Sequence, residues 1–460
     1  MPVVKAKFLK ELRNALPARA VLTEPEDRLC YAYDATRLTH LPDAVALPHS
    51  AKEVVAAVRA AAAHAVPIVP RGAGSGFSGG SLTVEGGLCL ATTRMNRLLD
   101  LDEAEMTAMV EPGLINGLFQ ETLAGRGLFF PPDPSSLDFS TLGGNVAENA
   151  GGPRAVKYGV TGDYVLGLEM VLADGETVFL GRHTAKGVVG YDLVSLVVGS
   201  EGTLGVVTKI LFRLLPLPEA VGTLLAPFPS TAAAIDGVGR LLRSGVAPRT
   251  LEFMDRSAVD CIPAERRAHL SAKDAAWLLV EVDGEADRVA GDLARVESLL
   301  HSAGARGIAR AATAEEAEGL WALRRQMSQA INRLGMKKIN EDIVVPRTKL
   351  AVMVERLAAI AQKEKVTMVS FGHAGDGNLH VNILLAEGQT EEDPNVTRAL
   401  RAVFDATLSL GGTISGEHGV GITKRPFIGL EVPPRALELM RGVKRAFDPK
   451  GIMNPGKIFP

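Results

Sequence analysis

Two stretches in the C-terminal half gather residue types that can hold and activate a small acid. In SFGHAGDGNLHVN, Ser370 to Asn382, the pair Asp376-Gly377 has the composition of a two-residue hairpin turn. Counting outward predicts Gly375 opposite Asn378, Ala374 opposite Leu379 and His373 opposite His380, which brings the imidazole-bearing Cβ atoms to about 4.5–5.5 Å. Two imidazoles so placed suit one shared ion or a structural hydrogen-bonded pair, and only further ligands decide between them. Alternation puts Asn382 on the face of His380. Farther on, GGTISGEHGVG, Gly411 to Gly421, sets Glu417 and His418 between glycines, where neighbouring side chains escape the opposite-face rule of a regular strand. Upstream, LWALRRQMSQAINRLG carries Arg324 and Arg325, and a guanidinium grips a carboxylate with two parallel bonds. A solvated helix face is the competing reading for both, more so for Arg325.

Three glycine-rich passages occupy the first half. RGAGSGFSGG, Arg71 to Gly80, is glycine at five of ten positions, spaced so that successive backbone N–H groups can cradle a pyrophosphate. Gly74 to Gly79 satisfies the dinucleotide fingerprint G-x-G-x-x-G, but that fingerprint needs a helix opening at the glycines, and Ser81 to Gly87 leads into another strand instead. A nucleotide-binding Rossmann unit is therefore not expected. TLGGNVAENAGGPRAVKYG, Thr141 to Gly159, and GSEGTLGVVT, Gly199 to Thr208, follow. Ser135, Asn145 and Asn149 offer short donors and acceptors suited to flavin edges and ribityl hydroxyls.

Periodicity supplies the elements that must position these groups. Helices are expected at Met1–Leu16 on the surface, Ala51–Ala65, Leu114–Gly125, Asp287–Ala303, Glu315–Leu334, Lys349–Lys363 and Pro434–Phe447. Strands are expected at Val66–Pro70, Leu88–Thr92, Met106–Glu111, Trp277–Val282, Val366–Phe371 and Leu379–Leu385, with a hairpin formed by Val165–Leu172 and Val178–Leu180. Proline-rich Leu214–Pro229 marks a domain boundary. His64 reads as a surface histidine.

At 460 residues the chain is long enough for two or three domains. A net charge of -3 gives no basic field for nucleic acid. Cys30, Cys89 and Cys261 lie far apart without a C-x-x-C pair, which supports neither a disulfide framework nor an internal iron–sulfur cluster. No apolar run approaches the roughly 20 residues that span a bilayer. The expected location is cytoplasmic, with any membrane association made through a partner.

These passages resemble, over nearly the whole chain, the FAD-binding type of vanillyl-alcohol oxidase and p-cresol methylhydroxylase, and within it the glycolate oxidase, D-lactate dehydrogenase and D-2-hydroxyglutarate dehydrogenase branch. The implied fold class is α+β: a two-subdomain FAD-binding domain of the p-cresol methylhydroxylase type, an α+β substrate (cap) domain, and a C-terminal helical segment returning to the flavin. The expected divisions are 1–37, an N-terminal helical segment; 38–217, the FAD-binding domain; 218–425, the substrate domain with a metal site; and 426–460, the C-terminal segment. By the resemblance, Pro70, Arg71, Gly72, Ala73, Gly74, Ser75, Gly76, Gly79, Gly80 and Ser81 form the pyrophosphate loop. PPDPSS, with Pro132, Asp133 and Ser135, and Thr141, Gly143, Gly144, Asn145, Asn149, Gly152, Tyr158 and Gly159 form the isoalloxazine and ribityl wall. Glu201, Gly202, Gly205 and Val206 form an adenine-side segment, and Asn454 in the closing KRAFDPKGIMNPGKIFP is a further cofactor candidate. The Arg71 loop holds no histidine or cysteine, so non-covalent FAD is expected.

The resemblance also assigns His373, His380 and Glu417 as ligands of one divalent ion, zinc, manganese or iron(II). It assigns His418 as the catalytic and substrate-contacting histidine, and Arg324, Ser328 and Asn382 as substrate contacts. The D-2-hydroxyglutarate branch has Thr and Lys where this chain has Ser328 and Asn340, which favours a monocarboxylate such as D-lactate or glycolate, although Lys337 or Lys338 stand near enough in sequence to substitute. The expected activity is FAD-dependent oxidation of a small 2-hydroxy acid to the 2-oxo acid. Two other readings are a transferase resembling alkylglycerone-phosphate synthase and a non-catalytic flavin subunit of a larger complex. The sequence leaves the acceptor open among oxygen, quinone, cytochrome, an electron-transfer flavoprotein and an iron–sulfur protein; with no internal cluster motif a separate iron–sulfur, electron-transfer flavoprotein or quinone-linked acceptor is expected, and a homodimer is compatible with this reading.

Overall fold

The computed structural model describes residues 6–265, 267, 270–333 and 337–460. The chain divides into two units: Met1–Gly151 with Val160–Leu217 and Glu417–Pro460, and Gly152–Gly159 with Pro218–Gly416. Among the described residues no helix is long and apolar enough to cross a membrane.

The first unit carries two main sheets. A four-stranded sheet runs in the order Val21–Leu22, Ala44–Ala46, Leu88–Ala91, Ile68–Arg71, and its last three strands are parallel. Parallel neighbours need a crossover, and the helix Ala51–Ala63 provides it. Ser50 starts that helix by accepting the Glu53 N–H at 3.4 Å, while Glu53 reaches back to the His49 N–H at 2.8 Å. Its inner face, Val54, Ala57, Val58 and Ala61, shares one core with Ile68, Leu88 and Leu90 of this sheet and with Val171 and Val206 of the next. The second sheet is antiparallel, in the order Leu98–Asp102, Thr107–Val110, Val206–Arg213, Val165–Val171, Thr177–Gly181. The strand Ile68–Arg71 runs straight into the first glycine-rich loop, and no helix opens there.

Three details differ from the sequence expectation in this unit. LGGNVAE, Leu142–Glu148, is a short helix whose N-cap is Thr141, although two glycines near its start hide the helical pattern. The N-terminal helix, described as Ala6–Ala15, is not purely a surface element, because Phe8 and Leu12 are fully buried. His64 packs against Phe8 and pairs with Glu11 at 3.0 Å.

The second unit is built on a seven-stranded antiparallel sheet in the order Ala309–Arg310, Ala220–Phe228, Ala276–Gly284, Thr250–Asp255, Thr367–His373, Asn378–Leu385, Lys337–Val344. The helix Ala314–Arg333 covers one face, with Leu323, Met327, Ala330 and Ile331 packed on Met254, Trp277, Phe371 and Leu384. On the other face Ile339, Ile383 and Leu385 share a core with Val396 and Ala399 of the helix Pro394–Ser409. That helix, the helix Thr231–Arg243 and the strand Lys337–Val344 were not anticipated from sequence.

Candidate active site

In the first unit the glycine-rich passages meet. A Cβ on Gly72 would lie 2.2 Å from Thr141 Oγ1, so the first loop can lie against the second passage only without a side chain there. The loop is supported from within by Arg71, which donates to the Tyr33 carbonyl at 2.7 Å and to Ser81 at 3.2 Å. Beside it is a cavity of about 390 Å³ lined by Tyr33, Asp34, Arg71, Ala73, Gly74, Ser75, Phe77, Ser135 and Phe139 among others. Asp34 Oδ2 and Asn145 Nδ2 are buried without a hydrogen-bond partner among the described residues. Orphaned polar atoms of this kind are uncommon in folded proteins and mark places a ligand can satisfy. Burial pushes the Asp34 carboxyl up, against the hydrogen bonds from Thr36.

Other expected cofactor residues have their side chains engaged by the protein itself. Glu201, at φ +53°, accepts the backbone N–H groups of Val420 at 2.8 Å and Gly421 at 2.6 Å. Burial pushes its carboxyl up, while those two N–H groups pull it down. Asn454 donates to the carbonyls of Gly80 at 2.8 Å and Glu201 at 2.7 Å, tying the first loop, the third passage and the C-terminal turn together. Asn149 ends the short helix in the left-handed conformation and accepts the Gly162 N–H at 2.8 Å. Pro132 lends its carbonyl to Asn116 and Gln120. Val206 is a strand residue opposite Val171.

The Glu201 clamp shapes the stretch around His418. Gly421 stands at φ +48°, and a Cβ there would meet the Ser78 carbonyl at 2.0 Å, so only glycine follows this path. His418 stacks on Phe77, with ring centroids 5.0 Å apart and 30° between planes. Glu417 lies beside Gly151 of the second passage.

In the second unit the polar end of the covered sheet face holds the other candidates. The hairpin register corrects the sequence expectation. His373 pairs with Asn378 and His380 with Phe371, so residues 374–377 form a longer connection than two residues. The histidines are diagonal neighbours on one face rather than a direct pair, yet their Nε2 atoms face each other at 3.3 Å. Asn382 lies on the same face, wholly buried, and among the described residues neither of its amide atoms has a hydrogen-bond partner. Asn340 is its register partner on the neighbouring strand, and Asp342 is that of His380. Asp342 accepts the Gly416 N–H at 2.8 Å, which fixes the chain one residue before Glu417.

Glu252, missed from sequence, stands opposite His373 and is fully buried. Its Oε1 lies 2.6 Å from His373 Nδ1, and its Oε2 accepts Arg324 Nε at 2.9 Å. Burial alone would push this carboxyl up; His373 and Arg324 outweigh it and hold it below the usual carboxylate range. The signal was a lone acid in the middle of the apolar strand Thr250–Asp255, a position that normally demands a partner. Arg324 also lies over the Phe371 ring at 4.7 Å. Arg325 is exposed and pairs with Glu318. The Ser328 side chain lies outside the described residues. Gly152, Tyr158 and Gly159 belong to this unit, and Tyr158 donates to Asp283 at 2.8 Å.

A model of FAD-binding domains matches residues 42–181, and a model of the C-terminal domain of FAD linked oxidases matches residues 217–458. The chain belongs to the FAD-linked oxidases. Among curated relatives, the glycolate oxidase subunit GlcD of Bacillus subtilis is 42% identical over 433 residues, covering 94% of this chain and 92% of that one. GlcD of Escherichia coli K12 is 34% identical, covering 100% and 92%. A D-lactate dehydrogenase of Anaerostipes hadrus is 35% identical, covering 99% and 98%. Among solved structures, p-cresol methylhydroxylase with substrate bound superposes with TM-score 0.80 at 19% identity over 99% of this chain and 98% of that one. Alkyldihydroxyacetonephosphate synthase superposes with TM-score 0.77 at 23% identity over 99% and 86%. These likenesses establish the α+β fold of the p-cresol methylhydroxylase type. As an FAD-linked oxidase the protein is an FAD-dependent oxidoreductase, and the cavity, the glycine cradle and the orphaned Asn145 donor fit such a cofactor.

Proposed function

We propose that this FAD-linked oxidase oxidises a small 2-hydroxy monocarboxylate, D-lactate or glycolate, to its 2-oxo acid. The observation that carries the reading is the polar end of the second unit's sheet face. There a buried cation, two facing imidazoles and an amide without a hydrogen-bond partner among the described residues occur together. The names of the curated relatives, glycolate oxidase subunit and D-lactate dehydrogenase, support the substrate class.

In this reading Arg324 pairs with the substrate carboxylate through its terminal nitrogens, its Nε being held by Glu252. Asn382 orients the substrate through its unengaged amide. His418, held against Phe77, removes the hydroxyl proton. The C–H bond of the carbon bearing that hydroxyl breaks with its electron pair, and FAD, when bound, would supply the acceptor for that hydride. His373, His380 and Glu417 hold one zinc, manganese or iron(II) ion. Two ring nitrogens facing each other at 3.3 Å, one ring already anchored by a carboxylate, fit a shared cation. When bound, such an ion supplies positive charge that lowers the pKa of a hydroxyl beside it. Ser328 is the remaining substrate contact of this reading. Asn340, opposite Asn382, provides no cation for a second carboxylate, which favours a monocarboxylate.

The test is anaerobic reduction of the flavin, followed by absorbance, with D-lactate, L-lactate, glycolate and D-2-hydroxyglutarate supplied separately. Bleaching by D-lactate or glycolate is expected; bleaching by D-2-hydroxyglutarate alone would overturn the monocarboxylate assignment. The acceptor in this reading is a separate protein, iron–sulfur, electron-transfer flavoprotein or quinone-linked, in keeping with relatives named as subunits. Rapid turnover by oxygen with no redox protein co-purifying would count against it.

A further inference from the structure

We propose that Glu252 is a positioning residue that sets the tautomer of His373, and so the affinity of the metal site, while holding Arg324 with its other oxygen. The inference rests on the metal reading above. Glu252 sits between two donors: its Oε1 is 2.6 Å from His373 Nδ1 and its Oε2 is 2.9 Å from Arg324 Nε. A head group in that place must accept on both sides. A carboxylate does so. It places the hydrogen of His373 on Nδ1 and leaves the Nε2 lone pair directed at His380 Nε2, 3.3 Å away. A carboxylate behind a ligating imidazole fixes ring orientation and raises the basicity of the ligating nitrogen.

The backbone makes the arrangement rigid. Glu252 and His373 are register partners on neighbouring strands, so the two side chains leave the same face side by side. Glu252 is 0% exposed and Arg324 9%. The Arg324 guanidinium is further fixed by the Phe371 ring, whose own register partner is His380. One carboxylate thus connects the cation assigned to the substrate with an imidazole assigned to the metal.

Glutamine is nearly isosteric but has one acceptor and one donor. In Glu252→Gln its amide nitrogen must face either Arg324 Nε or His373 Nδ1, and the latter forces the hydrogen onto Nε2. The experiment uses the FAD-loaded full-length protein, stripped with EDTA and dialysed against buffered zinc, with bound zinc measured by mass spectrometry and folding checked by melting temperature. Glu252→Gln should weaken zinc about 10–100-fold, the range for losing such an outer partner, whereas Arg324→Met, which keeps the Glu252–His373 contact, should change it less than about threefold. Because Glu252→Gln leaves the Arg324 charge buried, the double variant Glu252→Leu/Arg324→Met, which removes that charge and leaves no acceptor beside His373 Nδ1, keeps the test open if the single variant does not fold. Zinc affinity within about threefold of wild type in either Glu252 variant overturns the proposal alone. A wild-type protein that takes up no zinc, manganese or iron(II) overturns the metal reading and the proposal with it.

Discussion

Glu201 holds Gly421 from across the sequence: its Oε2 accepts the Gly421 N–H at 2.6 Å while its Oε1 takes that of Val420 at 2.8 Å. The acid of the third glycine-rich passage therefore fixes the chain just beyond His418. In Glu201→Ala the buried Gly421 amide and the half-buried Val420 amide lose their acceptor. At about 1–3 kcal/mol for a buried group, the variant should lose roughly 2–3 kcal/mol of unfolding free energy. Flavin reduction should slow in the same variant. An unchanged urea midpoint would show that the clamp contributes nothing.

His418→Ala should abolish flavin reduction by the substrate while the purified protein stays yellow. Phe77→Ala removes only the ring on which His418 stacks. At about 0.5–1.5 kcal/mol for an aromatic pair, reduction should fall roughly 2–10-fold. Stopped-flow absorbance under anaerobic conditions measures both, and unimpaired reduction in His418→Ala would remove His418 from its role.

Gly72→Ala should destabilise the protein and lower FAD retention, because the new Cβ overlaps Thr141 Oγ1 at 2.2 Å. Thr141→Ala alone costs only its cap on the Gly144 N–H, about 1 kcal/mol. The double variant removes the overlapping atom, so its loss should be smaller than the sum of the two, a coupling that thermal denaturation of all four proteins reads directly. Strict additivity would mean that the two passages do not meet in this way.

Lys457 is buried, and burial pushes its ammonium down to about 8, against about 10.4 for an unfolded lysine. Between those values the unfolded chain binds more protons than the folded one, so this group makes stability rise as pH climbs from about 8 to about 10.4, with the full penalty present below that window. Lys457→Met should lose that rise. The wild-type minus variant difference in unfolding free energy should therefore increase across the window, and parallel pH curves would refute it.

Long periodic segments were legible from sequence because their apolar spacing repeats: Ala51–Ala63, Ala286–Ser302 and Pro434–Phe447 all lie where expected. The absence of a helix after the Arg71 loop was legible too, since the residues that follow are turn and strand formers. Two kinds of feature were not. The helix Leu142–Glu148 is short and set by a cap and tertiary packing, with glycines that argue against it locally. The hairpin register depends on the whole sheet. Asp376-Gly377 prefers a tight turn, but Gly377 sits with its N–H on the His373 carbonyl and its own carbonyl on Val345, and that longer connection displaced the imidazoles from opposite to diagonal. Glu252 was hidden for another reason: a buried acid explains itself only once its two partners, distant in sequence, are placed beside it.

The first unit is assembled from three separated stretches, and the last, Glu417–Pro460, is made only after all of the second unit. The ribosome therefore releases every strand of the seven-stranded sheet before it releases His418, Gly421 and Asn454. Until then Glu201 lacks the amides it clamps, and the Gly80 and Glu201 carbonyls lack the Asn454 amide. A nascent chain stopped short of Glu417 holds a complete sheet but an open flavin unit. A chain ending at Gly416 should therefore hold FAD less firmly than the full-length protein, so that flavin retention would report whether synthesis has run through the clamp and the closing turn.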